Sequence, residues 1–221
     1  MVQTVAVSGA SGRTGFRVVE ELLETGMSPR MLMRQSSVLE EQRPDLEQIR
    51  LDLFDSAALD AALQGVDALV IATGARPSVD LTGPLRVDAW GVQRQVEACR
   101  RVGVQRVILV SSLCAGRLWH PLNLFGLILL WKRVGERALV ASDLDWTVIR
   151  PGGLSDRERD LDREGIRWTG ADQQTSDSIP RRLVARCCVE ALNTPASIGH
   201  VLEITSRPGD PSQSLAEFLD R

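Results

Sequence analysis

Short apolar runs with little polar alternation recur along the first 150 residues, and segments with helical spacing separate them. The runs predict strands at residues 3–8, 30–33, 49–53, 68–72, 106–110 and 146–149, and the spacing predicts helices at 16–23, 57–63, 85–101 and 125–141. Strands that are apolar on both faces are typical of a parallel sheet covered by helices. The alternation therefore predicts an α/β fold with a doubly wound, mostly parallel sheet.

The regularity weakens after residue 149. Residues 156–164 carry eight charges in nine positions, which predicts a solvated loop or lid. A predicted helix at 182–192 and a predicted strand at 200–204 follow. Because no repeat or linker divides the chain, we expect one domain over residues 1–205, including small C-terminal elements, and a tail over residues 206–221.

Composition narrows the range of partners. The chain has 221 residues, of which 43% are hydrophobic and 25% charged, and its net charge is −3, so no nucleic-acid partner is expected. The longest apolar run, residues 122–131, is about half of the roughly 20 residues that a membrane helix needs, and because residues 1–4 lack a basic region we expect no signal peptide. The four cysteines lack C-x-x-C spacing, so we expect no metal site and reduced thiols in a cytoplasmic protein.

A glycine-rich loop joins the first predicted strand to the first predicted helix. It contains Gly9, Ser11, Gly12, Arg13, Thr14 and Gly15. Glycines at this spacing allow a tight turn and close backbone approach to a pyrophosphate, which the helix N-terminus attracts, as in a Rossmann fold. The alternative is a glycine-rich turn that binds nothing. A P-loop is excluded, because no Gly-Lys-Ser/Thr ends the segment.

The end of the second predicted strand indicates which dinucleotide the loop would bind. An NAD site places an Asp or Glu there to accept the ribose 2′-hydroxyl, but this chain has Arg34. An arginine can bind a 2′-phosphate, and Arg13 could close on the same phosphate, so NADP(H) is preferred over NAD(H). The alternative is that Arg34 is simply solvated at a strand end.

Two ordered sets of residues carry a resemblance to a known family. The first comprises residues 9–15, Asp52-Leu53, Ala72-Thr73-Gly74 and Val87-Asp88; the second comprises Val110-Ser111-Ser112, Trp131-Lys132-Arg133, residues 145–150 and Pro151-Gly152-Gly153. Over residues 3–205 the chain resembles the atypical short-chain dehydrogenases/reductases of the NAD(P)-binding, NmrA-like group.

The resemblance implies a set of cofactor contacts. The glycine-rich loop would hold the pyrophosphate and the 2′-phosphate, Asp52 and Leu53 would contact adenine, and Ala72, Thr73 and Gly74 would line the ribose edge. Around the nicotinamide it implies Ser111, Ser112, Lys132 and the turn formed by Pro151, Gly152, Gly153 and Leu154.

The chain departs from most short-chain dehydrogenases at the catalytic tyrosine. Their Tyr-x-x-x-Lys motif would need a tyrosine at Ile128, four residues before Lys132, but the sequence contains no tyrosine. Lys132 is the only lysine among 26 basic residues and can still bind the ribose hydroxyls of the nicotinamide half. The alternative is an exposed helix lysine that pairs with Glu136 at i+4.

Hydride transfer does not require a protein acid when the acceptor takes its proton from water. We therefore expect an NADP(H)-dependent oxidoreductase acting on an apolar, planar small molecule of the flavin, quinone or bilin type, with Lys132, Ser111 and Ser112 as its catalytic residues. Residues 119–127, which include His120, could floor the acceptor pocket or simply pack on the sheet, and Cys114 is expected to be a packed thiol. The rival hypothesis is an NADP(H)-binding regulatory or assembly protein without turnover. We expect a monomer or weak dimer.

Overall fold

The structure is a computed structural model that describes residues 3–39, 41–75, 82–115, 117, 121–124, 127–174, 176–211 and 213–221. A central eight-stranded sheet contains β1 (Thr4–Ser8), β2 (Ser28–Met33), β3 (Glu47–Arg50), β4 (Ala68–Ile71), β5 (Arg106–Val110), β6 (Asp145–Pro151), β8 (Glu164–Thr169) and β10 (His200–Pro208). A two-stranded sheet pairs β7 (Gly153–Ser155) with β9 (Ser178–Pro180).

Six α-helices accompany the strands in the described residues. They are α1 (Arg13–Glu24), α2 (Ser56–Leu63), α3 (Gly91–Val102), α4 (Ile128–Val140), α5 (Arg181–Asn193) and α6 (Leu215–Leu219). A π-helical segment, Leu85–Trp90, runs directly into α3. In this part of the chain no helix is long and apolar enough to cross a membrane.

The strand order is β3-β2-β1-β4-β5-β6-β10-β8. All neighbouring strands are parallel except β8, which runs antiparallel to β10. The order reverses between β1 and β4, and ligands of open α/β sheets bind beyond the carboxyl ends of the strands at such a switch point. The fold is thus the doubly wound Rossmann-type domain that the sequence pattern predicted.

Hydrophobic side chains form one core on each face of the sheet. Val5 and Val7 of β1 pack with α1 and α5 on one face, whereas Ala6 packs with α2, α3 and α4 on the other. This alternation follows from the two-residue period of a strand. Both faces are covered, which explains why the strands read as uninterrupted apolar runs.

The C-terminal third contains elements that the pattern did not predict. β7, β8 and β9 were not expected, and β10 continues to Pro208, beyond the predicted boundary at residue 205. Leu215 of α6 is fully buried in the core beside α5. Within the predicted charged loop, Leu161 is buried and begins a short 3-10 helix, Leu161–Arg163.

Candidate functional site

The glycine-rich loop adopts a conformation that only glycine fits at two positions. Gly9 has a φ of +81°, and a β-carbon on it would lie 2.9 Å from the carbonyl oxygen of Ala72. A β-carbon on Gly15 would overlap the backbone of Gly9. The first turn of α1 therefore lies directly against the end of β1, which brings the helix N-terminus to the switch point.

A cavity of about 250 Å³ opens at this edge of the sheet. Its walls come from the glycine-rich loop, from the carboxyl ends of β5 and β6, from the residues that follow β4, β5 and β6, and from α4 and α5. The lining residues are Gly12, Arg13, Thr14, Ala72, Thr73, Gly74, Val110, Ser111, Ser112, Lys132, Pro151, Gly152, Leu154 and Arg181. Twelve of these fourteen were predicted from the sequence as site residues, and Val110 and Arg181 were not.

Two hydroxyl groups in the cavity wall are buried without a hydrogen-bond partner among the described residues. They are Oγ1 of Thr73 and Oγ of Ser111. A buried polar group without a partner costs free energy, so such groups in a cavity point to a polar ligand that satisfies them. A dinucleotide offers hydroxyl, phosphate and amide groups, so these residues fit the cofactor that the glycine-rich loop predicts.

Lys132 forms a buried ion pair in the cavity wall. Its Nζ lies 2.8 Å from Oδ1 of Asp88, and the two side chains are 16% and 2% exposed. Asp88 belongs to the π-helical segment and also accepts a hydrogen bond from the backbone N–H of Ala75. Gly135 permits this approach, because any side chain there would overlap the backbone of Asp88.

Glu136 does not pair with Lys132, so the alternative interpretation of Lys132 as an exposed lysine paired with Glu136 at i+4 is wrong. Its carboxylate accepts two hydrogen bonds from the buried Arg150 of β6, at 2.8 and 2.7 Å, and also pairs with Arg133. Burial disfavours the charged guanidinium, but the hydrogen bonds to Glu136 and the negative charges of Glu136, Asp172 and Glu203 together outweigh it and raise the pKa of Arg150. Glu136 therefore links α4 to β6 through Arg150, and the amine of Lys132 faces the cavity instead of Glu136.

The turn after β6 is fixed by close backbone approach. A β-carbon on Gly152 would lie 2.5 Å from the carbonyl oxygen of Asp177, and the N–H of Gly153 donates to that same oxygen. The turn brings Pro151, Gly152 and Leu154 to the cavity, while Gly153 lies outside the lining.

Other predicted cofactor residues do not line the cavity. Gly9, Ser11 and Gly15 shape the loop, Arg34 lies exposed after β2, and Asp52 and Leu53 follow β3. Oδ1 of Asp52 accepts the backbone N–H of Phe54. Arg34, Asp52 and Leu53 lie beyond the carboxyl ends of β2 and β3, on the side of the sheet that the adenosine half of a dinucleotide would occupy.

None of the four cysteines lines the cavity. All four lie in the described part of the chain, are buried and form no disulfide. Burial raises the pKa of Cys99 and of Cys188 to about 12, and that of Cys187 well above its ordinary value. Of the predicted acceptor-pocket stretch, Trp119, His120, Phe125 and Gly126 lie outside the described residues.

Sequence reasoning missed a pair of charged residues at the rim of the cavity. Arg181 is the first residue of α5, and its Nη1 lies 2.5 Å from Oδ1 of Asp156. Nη1 of Arg13 lies 2.5 Å from the other oxygen of the same carboxylate. The available signal for Arg181 was its position directly before the predicted helix at 182–192.

A second, shallower depression of about 390 Å³ lies at the opposite edge. It is lined by Arg100, Gln105, Asp143 and their neighbours, which lie before β5 and β6 at the amino ends of those strands. Open α/β sheets do not bind their ligands at that edge, so the smaller cavity is the candidate site.

Comparison with known proteins shows which family the chain belongs to. The protein-family model described as NAD(P)H-binding matches residues 9–195. An uncharacterised chloroplast protein of Arabidopsis thaliana is 35% identical over 97% of this chain and 81% of its own, and the sanguinarine reductase of Eschscholzia californica is 27% identical over 97% and 93%. A candidate NAD-dependent epimerase/dehydratase from Bacillus halodurans superposes with a TM-score of 0.84 at 26% identity, covering 99% of both chains. The match to the family model covers most of the chain, which therefore belongs to the NAD(P)H-binding family.

Proposed function

We propose that this protein is an NADPH-dependent oxidoreductase that transfers a hydride to an apolar, planar acceptor of the flavin, quinone or bilin type. The observation that carries the proposal is the cavity at the switch point, where the unpartnered hydroxyls of Thr73 and Ser111 lie with the amine of Lys132. Family membership supports dinucleotide binding, and the similarity to a sanguinarine reductase supports reductase chemistry.

The loop residues and Lys132 would hold the cofactor. The backbone N–H groups at the start of α1, with Gly12, Arg13 and Thr14, would bind the pyrophosphate. The amine of Lys132 would donate to the ribose hydroxyls of the nicotinamide half while Asp88 keeps it oriented. When bound, NADPH supplies the hydride, and the protein contributes position and exclusion of water.

Preference for NADPH over NADH rests on the end of β2. Arg34 is exposed there, and no Asp or Glu takes the position that accepts a ribose 2′-hydroxyl. A guanidinium can donate two hydrogen bonds to a 2′-phosphate. Arg13, in contrast, is turned toward Asp156 in this structure, so Arg34 is the main contact that we propose for the 2′-phosphate.

The acceptor would lie against the strand ends on the nicotinamide side. Val110, Pro151 and Leu154 give that part of the cavity an apolar wall, and Ser111 and Ser112 can donate to an acceptor carbonyl. Because the chain has no tyrosine, the proton must come from water or from another donor. That requirement favours an acceptor that spreads charge over a conjugated ring system.

A second candidate function is an NADP(H)-binding regulatory or assembly protein without turnover, which the missing tyrosine favours. The experiment that separates the two follows NADPH oxidation with a flavin, a quinone and a bilin as acceptors, and measures NADPH affinity by calorimetry. Turnover with at least one acceptor is expected. Tight NADPH binding without turnover on any of the three would support the regulatory protein instead.

A further inference from the structure

Two long helices begin at the rim of the cavity, and neither N-terminus has a side-chain cap. α1 follows Gly12 and α5 follows Pro180, and the first turn of each helix contains no acidic residue. The N–H groups at a helix start are unsatisfied donors that carry a partial positive charge, so both ends attract an anion. Each helix also begins with an arginine, Arg13 in α1 and Arg181 in α5.

The two arginines converge on one carboxylate. Each oxygen of Asp156 lies 2.5 Å from an Nη1 atom, one from Arg13 and one from Arg181. Arg181 is anchored, with a side chain only 12% exposed, whereas the side chains of Arg13 and Asp156 are 59% and 57% exposed. A phosphate or carboxylate of a ligand could accept the same two bonds.

Asp156 differs from the other acidic residues of the charged segment 156–164. Glu158 pairs with Arg17 and Arg182, and Asp162 pairs with Arg186. None of these three arginines lines the cavity, whereas both partners of Asp156 do. Glu164 pairs with Arg157, which does not line the cavity either, so among the ion pairs of this fully described segment only those of Asp156 involve arginines of the cavity wall.

We propose that Arg181, Arg13 and the N-terminus of α5 form a subsite for a ligand oxyanion, and that Asp156 fills this subsite until the ligand displaces it. The ligand group is a phosphate of the cofactor or a carboxylate of the acceptor, and both would accept the same hydrogen bonds. The proposal rests on the proposed function in that both concern the same cavity. The two arginines carry two positive charges and Asp156 carries one negative charge, so an incoming anion competes with the carboxylate of Asp156 for the arginines.

The test removes the competing charge and leaves the arginines in place. Asp156→Asn is matched by Asp162→Asn, an identical charge change in the same segment at a carboxylate that contacts Arg186 instead. Calorimetric titration uses inorganic pyrophosphate as the probe, so its result does not depend on turnover. We expect Asp156→Asn to bind pyrophosphate roughly threefold to tenfold more tightly than wild type, because an exposed ion pair no longer has to break. Asp162→Asn should match wild type, and Arg181→Gln should bind more weakly.

Further arms identify the source of the anion. If the cofactor pyrophosphate is the ligand, Asp156→Asn lowers the dissociation constants of NADPH and NADH together. If Asp156→Asn lowers the dissociation constant of NADPH but not that of NADH, the 2′-phosphate is the ligand. If an acceptor carboxylate is the ligand, the KM falls for a carboxylated bilin but not for its methyl ester. Unchanged pyrophosphate affinity in both Asp156→Asn and Arg181→Gln would overturn the subsite, whereas wild-type protein that binds pyrophosphate but not NADPH would contradict the proposed function.

Discussion

Replacing Lys132 tests how the cavity holds the nicotinamide half of the cofactor. The amine lies 2.8 Å from Asp88 and 3.7 Å from the position that a β-carbon on Gly74 would occupy. This space suits a compact ammonium and not the planar fork of a guanidinium. Lys132→Met removes one charged hydrogen bond to the ribose, which is worth about 1.5–3 kcal/mol, so NADPH should bind roughly 10- to 150-fold more weakly.

Lys132→Arg should also weaken NADPH binding, because the larger head group cannot keep both Asp88 and the ribose. Affinity is measured by calorimetry and hydride transfer by single-turnover NADPH oxidation over about pH 6–9, the range in which a catalytic acid would appear. Neither variant should add a limb to the pH profile, because the chain has no tyrosine for Lys132 to activate. Arg137→Lys, a swap at an exposed position of the same helix, is the control. Wild-type affinity and rate in Lys132→Arg would refute the ribose role.

Three further predictions address the cofactor loop, the cofactor preference and the core. Arg34→Ala should weaken NADPH binding by roughly 1.5–3 kcal/mol and leave NADH binding nearly unchanged in calorimetry; equal wild-type affinities for the two cofactors would contradict the preference. Gly12→Val should abolish NADPH binding in a folded protein. The backbone φ of Gly12, −84°, suits any residue, so the variant should fold, but a β-carbon would lie 3.1 Å from the carbonyl oxygen of Gly9 and the valine side chain would crowd the loop where the pyrophosphate approaches. Binding at wild-type affinity would show the loop assignment to be wrong. Burial raises the pKa of Glu190 above its ordinary 4.5, so the folded state holds this proton more tightly and the free energy of unfolding falls as pH rises through the raised pKa. Denaturation should therefore show Glu190→Gln to be more stable than wild type at neutral pH, with the difference vanishing below about pH 4.5; equal stability at neutral pH would contradict this.

The parallel part of the fold was predictable because its strands carry a local signal. Six apolar runs overlapped β1 to β6, the run at 49–53 only at the last two residues of β3, and the predicted strand at 200–204 matched the first part of β10. β7, β8 and β9 were not predictable in this way, because short strands in a polar segment are held by pairing with distant residues. β8, for example, starts at the last residue of the charged segment and pairs antiparallel with β10.

Much of the cavity was predictable for a different reason. The family resemblance implied Thr73, Ser111 and Gly152, and their positions after predicted strands agree with the rule that ligands of open α/β sheets bind at the carboxyl ends of the strands. The partner of Lys132 could not be predicted, because Asp88 is 44 residues away in the chain. The two residues are in contact because Gly135 allows the π-helical segment and α4 to pack closely. Helical spacing offered Glu136 as the alternative partner of Lys132, but the carboxylate of Glu136 pairs with the buried Arg150.

A crystal structure of the protein grown with NADPH tests the central claim most directly. The account predicts that the dinucleotide crosses the switch point with its pyrophosphate on residues 12–14 and its nicotinamide ribose about 3 Å from Nζ of Lys132. The hydroxyls of Thr73 and Ser111 should then have gained hydrogen-bond partners. NADPH bound outside this cavity, or bound inside it with Lys132 still held only by Asp88, would contradict the account.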